Sequence, residues 1–284
     1  MDKRTPVILI GAGRSGTKFL RSCLSASEEV VSVPYDIGYV WRFGNENIEH
    51  DELAVNDVTK KIKSYITNTL PTLTNAGNND ARFIVEKSVP NTLRVSFINE
   101  IYPNAKFVYL FRDGRAVIES AVRQWNKPVS RSYLVKKIRY FPWKNYRYAF
   151  WYLCNLIGSK ISKKPYIWGP RYEGIMEDLV LLTVEEVCAK QWSRCVDLAD
   201  EQLDKIDESR VFRMSFEELM NDSQKLIELC EFIGINDTGK VESFFIKNVE
   251  RENNQKSMAN LNAKTIAAIN KYAKVSLQRL GYMK

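Results

Sequence analysis

An apolar run, Val7-Ile8-Leu9-Ile10, leads directly into Gly11-Ala12-Gly13-Arg14-Ser15-Gly16-Thr17. A helical pattern follows at Phe19, Leu20, Cys23 and Leu24. A chain that starts this way is committed to a buried strand, a tight turn and an amphipathic helix, the opening unit of an α/β sheet. The turn is also chemically loaded. Its glycines let backbone approach an anion, and the helix N-terminus behind it presents N–H groups and the positive end of a dipole. Two known spacings overlap here. A Walker A loop needs Lys-Ser or Lys-Thr after its last glycine, but the order here is Thr17-Lys18, which turns the lysine about 100° away and disfavours a nucleoside triphosphatase. Gly11, Gly13 and Gly16 do match the dinucleotide fingerprint, with Asp36 about twenty residues on where a ribose-binding acid would stand.

A second cationic cluster narrows the choice. Ala105 to Phe111 reads as a buried strand, followed at once by Arg112-Asp113-Gly114-Arg115 and a helical pattern carrying Ser120. Phe83-Ile84-Val85-Glu86 is another short strand, ending in Lys87. Ligands of open α/β sheets bind beyond the carboxyl ends of the strands, so all three clusters are expected on one edge. The pattern predicts strands at 6–10, 30–33, 82–86, 106–111 and 210–214. It predicts helices at 17–26, 52–70, 91–101, 115–125, 184–204, 222–233 and 259–279. This alternation implies a parallel sheet with helices on both faces, in a single α/β domain over residues 1–284 with an insertion at about 127–172.

With these motifs in order, the chain resembles the sulfotransferases that use 3′-phosphoadenosine 5′-phosphosulfate, in particular the bacterial and carbohydrate type. Gly13-Arg14-Ser15-Gly16-Thr17 resembles that family's 5′-phosphosulfate loop, and Phe107 to Ser120 its 3′-phosphate motif. Glu86-Lys87-Ser88 with Pro90-Asn91 resembles its Glu-Lys-Ser/Thr-Pro segment. Val211 to Leu219, then Leu226 to Gly234, resembles a later strand and helix, and Trp168-Gly169-Pro170 and Gln191-Trp192 are similar to bacterial members. The resemblance implies a P-loop-like fold, this donor with 3′,5′-adenosine bisphosphate as product, and no metal. It places the 5′-phosphate on the Gly13, Arg14, Ser15, Gly16, Thr17 and Lys18 turn. Arg14 and Lys87 would bracket the bridging oxygen, and Arg112 with Ser120 would hold the 3′-phosphate. The Phe216 ring would lie near adenine. The acceptor's general base would be Asp36, preferred to His50 and to Glu28 or Glu29. Three departures stand out. Lys18 and Phe216 replace the hydroxyl residues many members carry there, and no late basic-glycine loop is found, so Lys256, in Gln255-Lys256-Ser257, is the substitute.

From Ala121 to Tyr172 there is no Asp or Glu, but there are twelve Lys or Arg, more than the whole-chain net charge of +8. The span is rich in aromatics as well. An acceptor lid or membrane-proximal surface is the expectation, with in-line transfer to a hydroxyl or amine of a carbohydrate (an acidic one fits the charge), a glycolipid or a small metabolite, and nucleic acid ranked last. The five scattered cysteines predict free thiols in a reducing compartment, without zinc spacing. No signal peptide or anchor is read at the start, so a cytoplasmic enzyme is expected, with peripheral contact at the inner membrane surface. Two other functions compete: an NAD(P)-dependent oxidoreductase using the glycine spacing, and a non-catalytic nucleotide-fold protein binding membrane or an anionic polymer.

Overall fold

A computed structural model describes residues 2–74, 80–125, 167–249 and 261–284. Its centre is a five-stranded sheet of β1 (Thr5–Ile10), β2 (Val30–Ser32), β3 (Phe83–Glu86), β4 (Lys106–Phe111) and β5 (Val211–Ser215). The order is β2-β3-β1-β4-β5, and every pairing is parallel. The helices are α1 (Thr17–Leu24), α2 (Gly38–Trp41), α3 (Lys60–Thr69), α4 (Val95–Ile101), α5 (Gly114–Trp125), α6 (Ile175–Leu181), α7 (Val184–Leu203), α8 (Phe216–Asn221), α9 (Gln224–Ile233), α10 (Thr238–Asn248), α11 (Ala263–Tyr272) and α12 (Lys274–Arg279).

Both sheet faces are covered, which is why the strands read as unbroken apolar runs rather than as alternations. Ile8, Ile10, Ile84, Phe107 and Tyr109 face α3, α4 and the far end of α7, packing with Ile62, Ile66, Phe97 and Leu203. Val7, Leu9, Val85, Val108 and Leu110 face α1, α9 and α10, packing with Leu20, Leu24, Leu229 and Phe245. A third apolar cluster joins α5, α6, α7, α11 and α12 around Val117, Trp192 and Ala268. Gly114 makes this possible: a Cβ there would fall 2.5 Å from the Trp192 ring.

The strands fall within a residue of expectation, but several helices do not. The helix expected from 52 starts only at Lys60, because the Thr59 hydroxyl accepts the Ile62 amide and caps it there. Leu53, ahead of it, is a buried loop residue. The helix expected over 91–101 splits at Arg94 into a 3₁₀ turn, Val89–Leu93, and α4. That expected over 259–279 breaks at Ala273. Four helices were not anticipated: α2, α6, α8 and α10. Most of the expected basic insertion, and Lys256, lie outside the described residues. Among those described, no helix is long and apolar enough to cross a membrane.

Candidate active site

The turn after β1 is drawn tight. The Ser15 amide donates to the Ala12 carbonyl at 3.2 Å, and Arg14 takes a left-handed backbone (φ 73°). That conformation costs a residue with a Cβ about 1–2 kcal/mol, so the surroundings must impose it. Gly11 has no room for a side chain, since a Cβ would lie 2.6 Å from the Leu110 carbonyl oxygen. Gly16 (φ 91°) is the N-cap of α1 and supplies no side-chain cap, unlike Thr59, Thr183, Ser215 and Asn262 at α3, α7, α8 and α11. The first amides of α1 are therefore left to the turn. Thr17 and Ser15 are buried, and the Ser15 hydroxyl has no hydrogen-bond partner among the described residues. An uncapped helix start, an orphaned buried hydroxyl and a backbone bent around them fit a phosphate group. Lys18 points to the exposed side of the first turn.

β1 lies between β3 and β4, so the ends of those two strands border this turn. Beyond β4, the Arg112 guanidinium donates through Nη1 to the Arg14 carbonyl oxygen at 3.0 Å. Its planar face lies 4.2 Å from the centre of the Phe216 ring, and that ring packs against Gly16. The Arg14 side chain in turn donates from Nε to the Ser120 hydroxyl on α5 at 2.9 Å. Arg112, Ser120, Arg14 and Phe216 thus form one set with the turn. Burial lowers the Arg112 pKa against the pull of Glu217, and the Arg14 charge adds to burial, so an anion here would be welcome. Glu217 is itself held by the Tyr282 hydroxyl at 2.5 Å, and Tyr282 sits edge-on to Phe111.

On the other side, beyond β3 and β2, the Lys87 ammonium donates to Asp36 Oδ1 at 3.1 Å. The Lys87 side chain is 12% exposed and that of Asp36 45%. Glu86, next to Lys87, is fully buried, accepting from the Ser88 hydroxyl at 2.5 Å and from Asn91 Nδ2 at 2.6 Å. Burial raises the Glu86 pKa above the usual glutamate range, against the Ser88 and Trp41 side chains beside it; the Asp36 charge acts with burial.

The other candidate bases are elsewhere. Glu28 and Glu29 precede β2, on the opposite edge of the sheet. Glu29 pairs with Arg82 and accepts the Asn236 and Asp237 amides, and Glu28 pairs with Lys240. His50 borders a separate open pocket of about 430 Å³ with Glu52, Leu93 and Gln202. None of the residues of the turn after β1 lines that pocket.

Two further residues border the site without having been given a role there from the sequence, although Trp168-Gly169-Pro170 and Gln191-Trp192 were among the segments similar to bacterial members. The Trp168 ring covers Gly13, where a Cβ would lie 3.3 Å from it. Gln191 fixes that segment by donating to the Trp168 and Pro170 carbonyls at 3.0 and 2.8 Å. Tyr282 is the other, and nothing near it in the sequence marks it. Among the described residues no cluster of three or more His, Cys, Asp or Glu is placed to hold a metal ion.

Comparison with known proteins agrees with this geometry. Over 134 residues the chain is 32% identical to protein-tyrosine sulfotransferase 2 of Gallus gallus, covering 43% of this chain and 35% of that one. It is 29% identical to protein-tyrosine sulfotransferase 1 of Homo sapiens over 130 residues, covering 42% and 35%. The matched stretch is thus about a third of the length of these curated relatives. A sulfotransferase of Mycobacterium avium superposes with a TM-score of 0.52 at 10% identity, covering 100% of this chain and 78% of that one. The sulfotransferase domain of the Synechococcus olefin synthase gives 0.51 at 12% identity, with 96% of each covered. These two share the fold. The family model described as "Sulfotransferase family" matches residues 6–152, more than half of the chain, and the protein belongs to that family.

Proposed function

We propose that this protein transfers the sulfuryl group of 3′-phosphoadenosine 5′-phosphosulfate to a hydroxyl acceptor. The observation that carries the reading is the 3.0 Å bond from Arg112 to the Arg14 carbonyl, which brings the β4 cation onto the phosphate turn after β1. When bound, the donor would supply the sulfuryl group, with 3′,5′-adenosine bisphosphate as the leaving group. The turn from Gly13 to Thr17 would hold the 5′-phosphate with its amides and the Thr17 and Ser15 hydroxyls. Arg112 and Ser120 would hold the 3′-phosphate, with Arg14 spanning from Ser120 toward the bridging oxygen. Lys87 would balance charge on the leaving side. Asp36 would take the acceptor's proton as its oxygen bonds to sulfur, and the electrons of the broken S–O bond would stay on the bisphosphate. Catalysis would rest on positioning and charge stabilisation rather than on covalent chemistry by the protein.

The strand order counts against the dinucleotide alternative. That fold places β2 beside β1, so that an acid at the end of β2 reaches the ribose. Here β3 stands between them, and Asp36 meets Lys87 instead. A thermal-shift comparison of 3′,5′-adenosine bisphosphate, a nicotinamide dinucleotide and adenosine triphosphate tests the donor. A selective shift with the bisphosphate is expected, and a shift with the dinucleotide alone would overturn the reading.

For the acceptor, two hydroxyl classes are on offer. The relatives are named for protein tyrosine, while the bacterial and carbohydrate-type motifs favour a sugar, a glycolipid or a small metabolite. A panel of a tyrosine peptide, an oligosaccharide and a glycolipid with radiolabelled donor separates them.

A further inference from the structure

Glu86, the last residue of β3, and Ser88 just beyond it are buried, while Lys87 between them is partly exposed and bonds Asp36. The same holds across the neighbouring segment, where Ile37 is fully buried and Asp36 beside it is half-exposed. The two buried partners touch: the Ile37 amide donates to the Ser88 hydroxyl at 3.1 Å, across 51 positions of sequence. Ile37 is the N-cap residue of the four-residue helix α2, which has no side-chain cap of its own.

A serine hydroxyl has one proton to give. Here it goes to Glu86 Oε1, and because the Ile37 N–H can only donate, the hydroxyl lone pairs face Ile37. The second Glu86 oxygen is held by Asn91, whose Oδ1 accepts from Arg94 Nε at 3.0 Å. Arg94, Asn91, Glu86, Ser88 and Ile37 are all at most 1% exposed. A carboxyl group buried this completely is costly unless its bonds are made, and this one spends a bond on a hydroxyl that grips the turn bearing Asp36.

We propose that Glu86 and Ser88 are positioning residues that hold Asp36 on Lys87, by fixing the Ile37 amide through the Ser88 hydroxyl. This rests on the reading of Asp36 as the general base. Neither residue touches acceptor or donor; they set where the carboxylate stands.

The test compares Ser88→Ala, and Ser88→Cys, which keeps the volume but weakens both bonds, with the unaltered protein. Hydrogen exchange in the free protein reads the clamp directly. The Ile37 amide should exchange about tenfold faster or more in both variants, with the Val108 amide of β4 unchanged. The affinity for 3′,5′-adenosine bisphosphate should stay within about twofold, since the donor turn is not involved. Release of labelled sulfate from the donor to water, which requires no chosen acceptor, should fall about tenfold or more. In the Asp36→Asn background the same substitution should cost less than about twofold, because its effect runs through Asp36. Unchanged Ile37 exchange overturns the proposal, as does an undiminished loss in the Asp36→Asn background. Collapse in Asp36→Asn with full turnover in both Ser88 variants overturns it alone. Full turnover in Asp36→Asn overturns the base reading and this proposal with it.

Discussion

Arg112 and Asp36 stand on the same edge of one sheet, Arg112 after β4 and Asp36 after β2, yet they are held in opposite ways. Arg112 is braced on several sides: its face rests on Phe216, one nitrogen bonds the Arg14 carbonyl, and Glu217 lies near enough to favour its charge. Asp36 meets Lys87, remains nearly half exposed, and owes its place to the backbone beside it. The contrast suits the roles proposed for them: a phosphate-binding cation gains from being fixed by its own contacts, and a general base gains from a fixed backbone and an accessible carboxylate. Asp51, fifteen residues on from Asp36, shows the alternative. It is buried, bonded by the Arg171 amide at 2.8 Å and paired with Arg42 at 3.2 Å. Burial would raise its pKa, but the charges of Arg171, Arg94 and Arg42 outweigh burial and hold it below the usual aspartate range. That carboxylate is structural.

Each contrast can be broken by substitution. Asp36→Asn should lower turnover about 10²- to 10⁴-fold while bisphosphate affinity stays within about twofold, measured by radiolabel transfer and titration calorimetry. A parallel loss of affinity would mean that Asp36 shapes the donor pocket instead.

Asp51→Asn should leave buried arginine charge uncompensated and cost about 3–5 kcal/mol of stability at pH 7, read by urea unfolding. The sign with pH follows from the lowered pKa. The stabilisation from Asp51 is fully present above its unfolded pKa of about 3.9 and is lost as pH falls through the lower folded value. The deficit of the Asn variant should therefore shrink in strong acid. A deficit independent of pH would point to lost packing.

Arg112→Ala should weaken 3′,5′-adenosine bisphosphate about tenfold to a hundredfold, and adenosine monophosphate much less. Equal weakening of both would show that Arg112 acts through the Arg14 carbonyl alone. Phe216→Leu removes the ring under the guanidinium and should weaken bisphosphate about two- to fivefold. His50→Gln, in its separate pocket, should leave turnover within about twofold. A large loss there would move the base away from Asp36.

How far the site could be read in advance follows from sequence distance. The Gly13–Thr17 turn, Lys87 and Arg112 each follow directly on an apolar strand, so the chain announces them locally. α8 carried a readable signal as well: Ser215 and Glu218 form a capping box, with the Ser215 hydroxyl taking the Glu218 amide at 3.1 Å and the Glu218 carboxylate returning to the Ser215 amide at 2.6 Å. Nothing local marked Tyr282 as the partner of Glu217, 65 positions away, or Ser88 as the acceptor of the Ile37 amide.

By itself, then, the sequence determined a parallel sheet of five strands and the three cationic clusters that end its central strands, because strand burial and the chemistry of a strand-to-helix turn are written in adjacent residues. Tertiary structure alone decided that β3 lies between β1 and β2, that Arg14 reaches Ser120, and that a buried glutamate and a serine hold the turn carrying Asp36. The reason is physical: which strand ends become neighbours, and which buried polar groups satisfy one another, depends on how the whole chain closes around its core rather than on any one stretch of it.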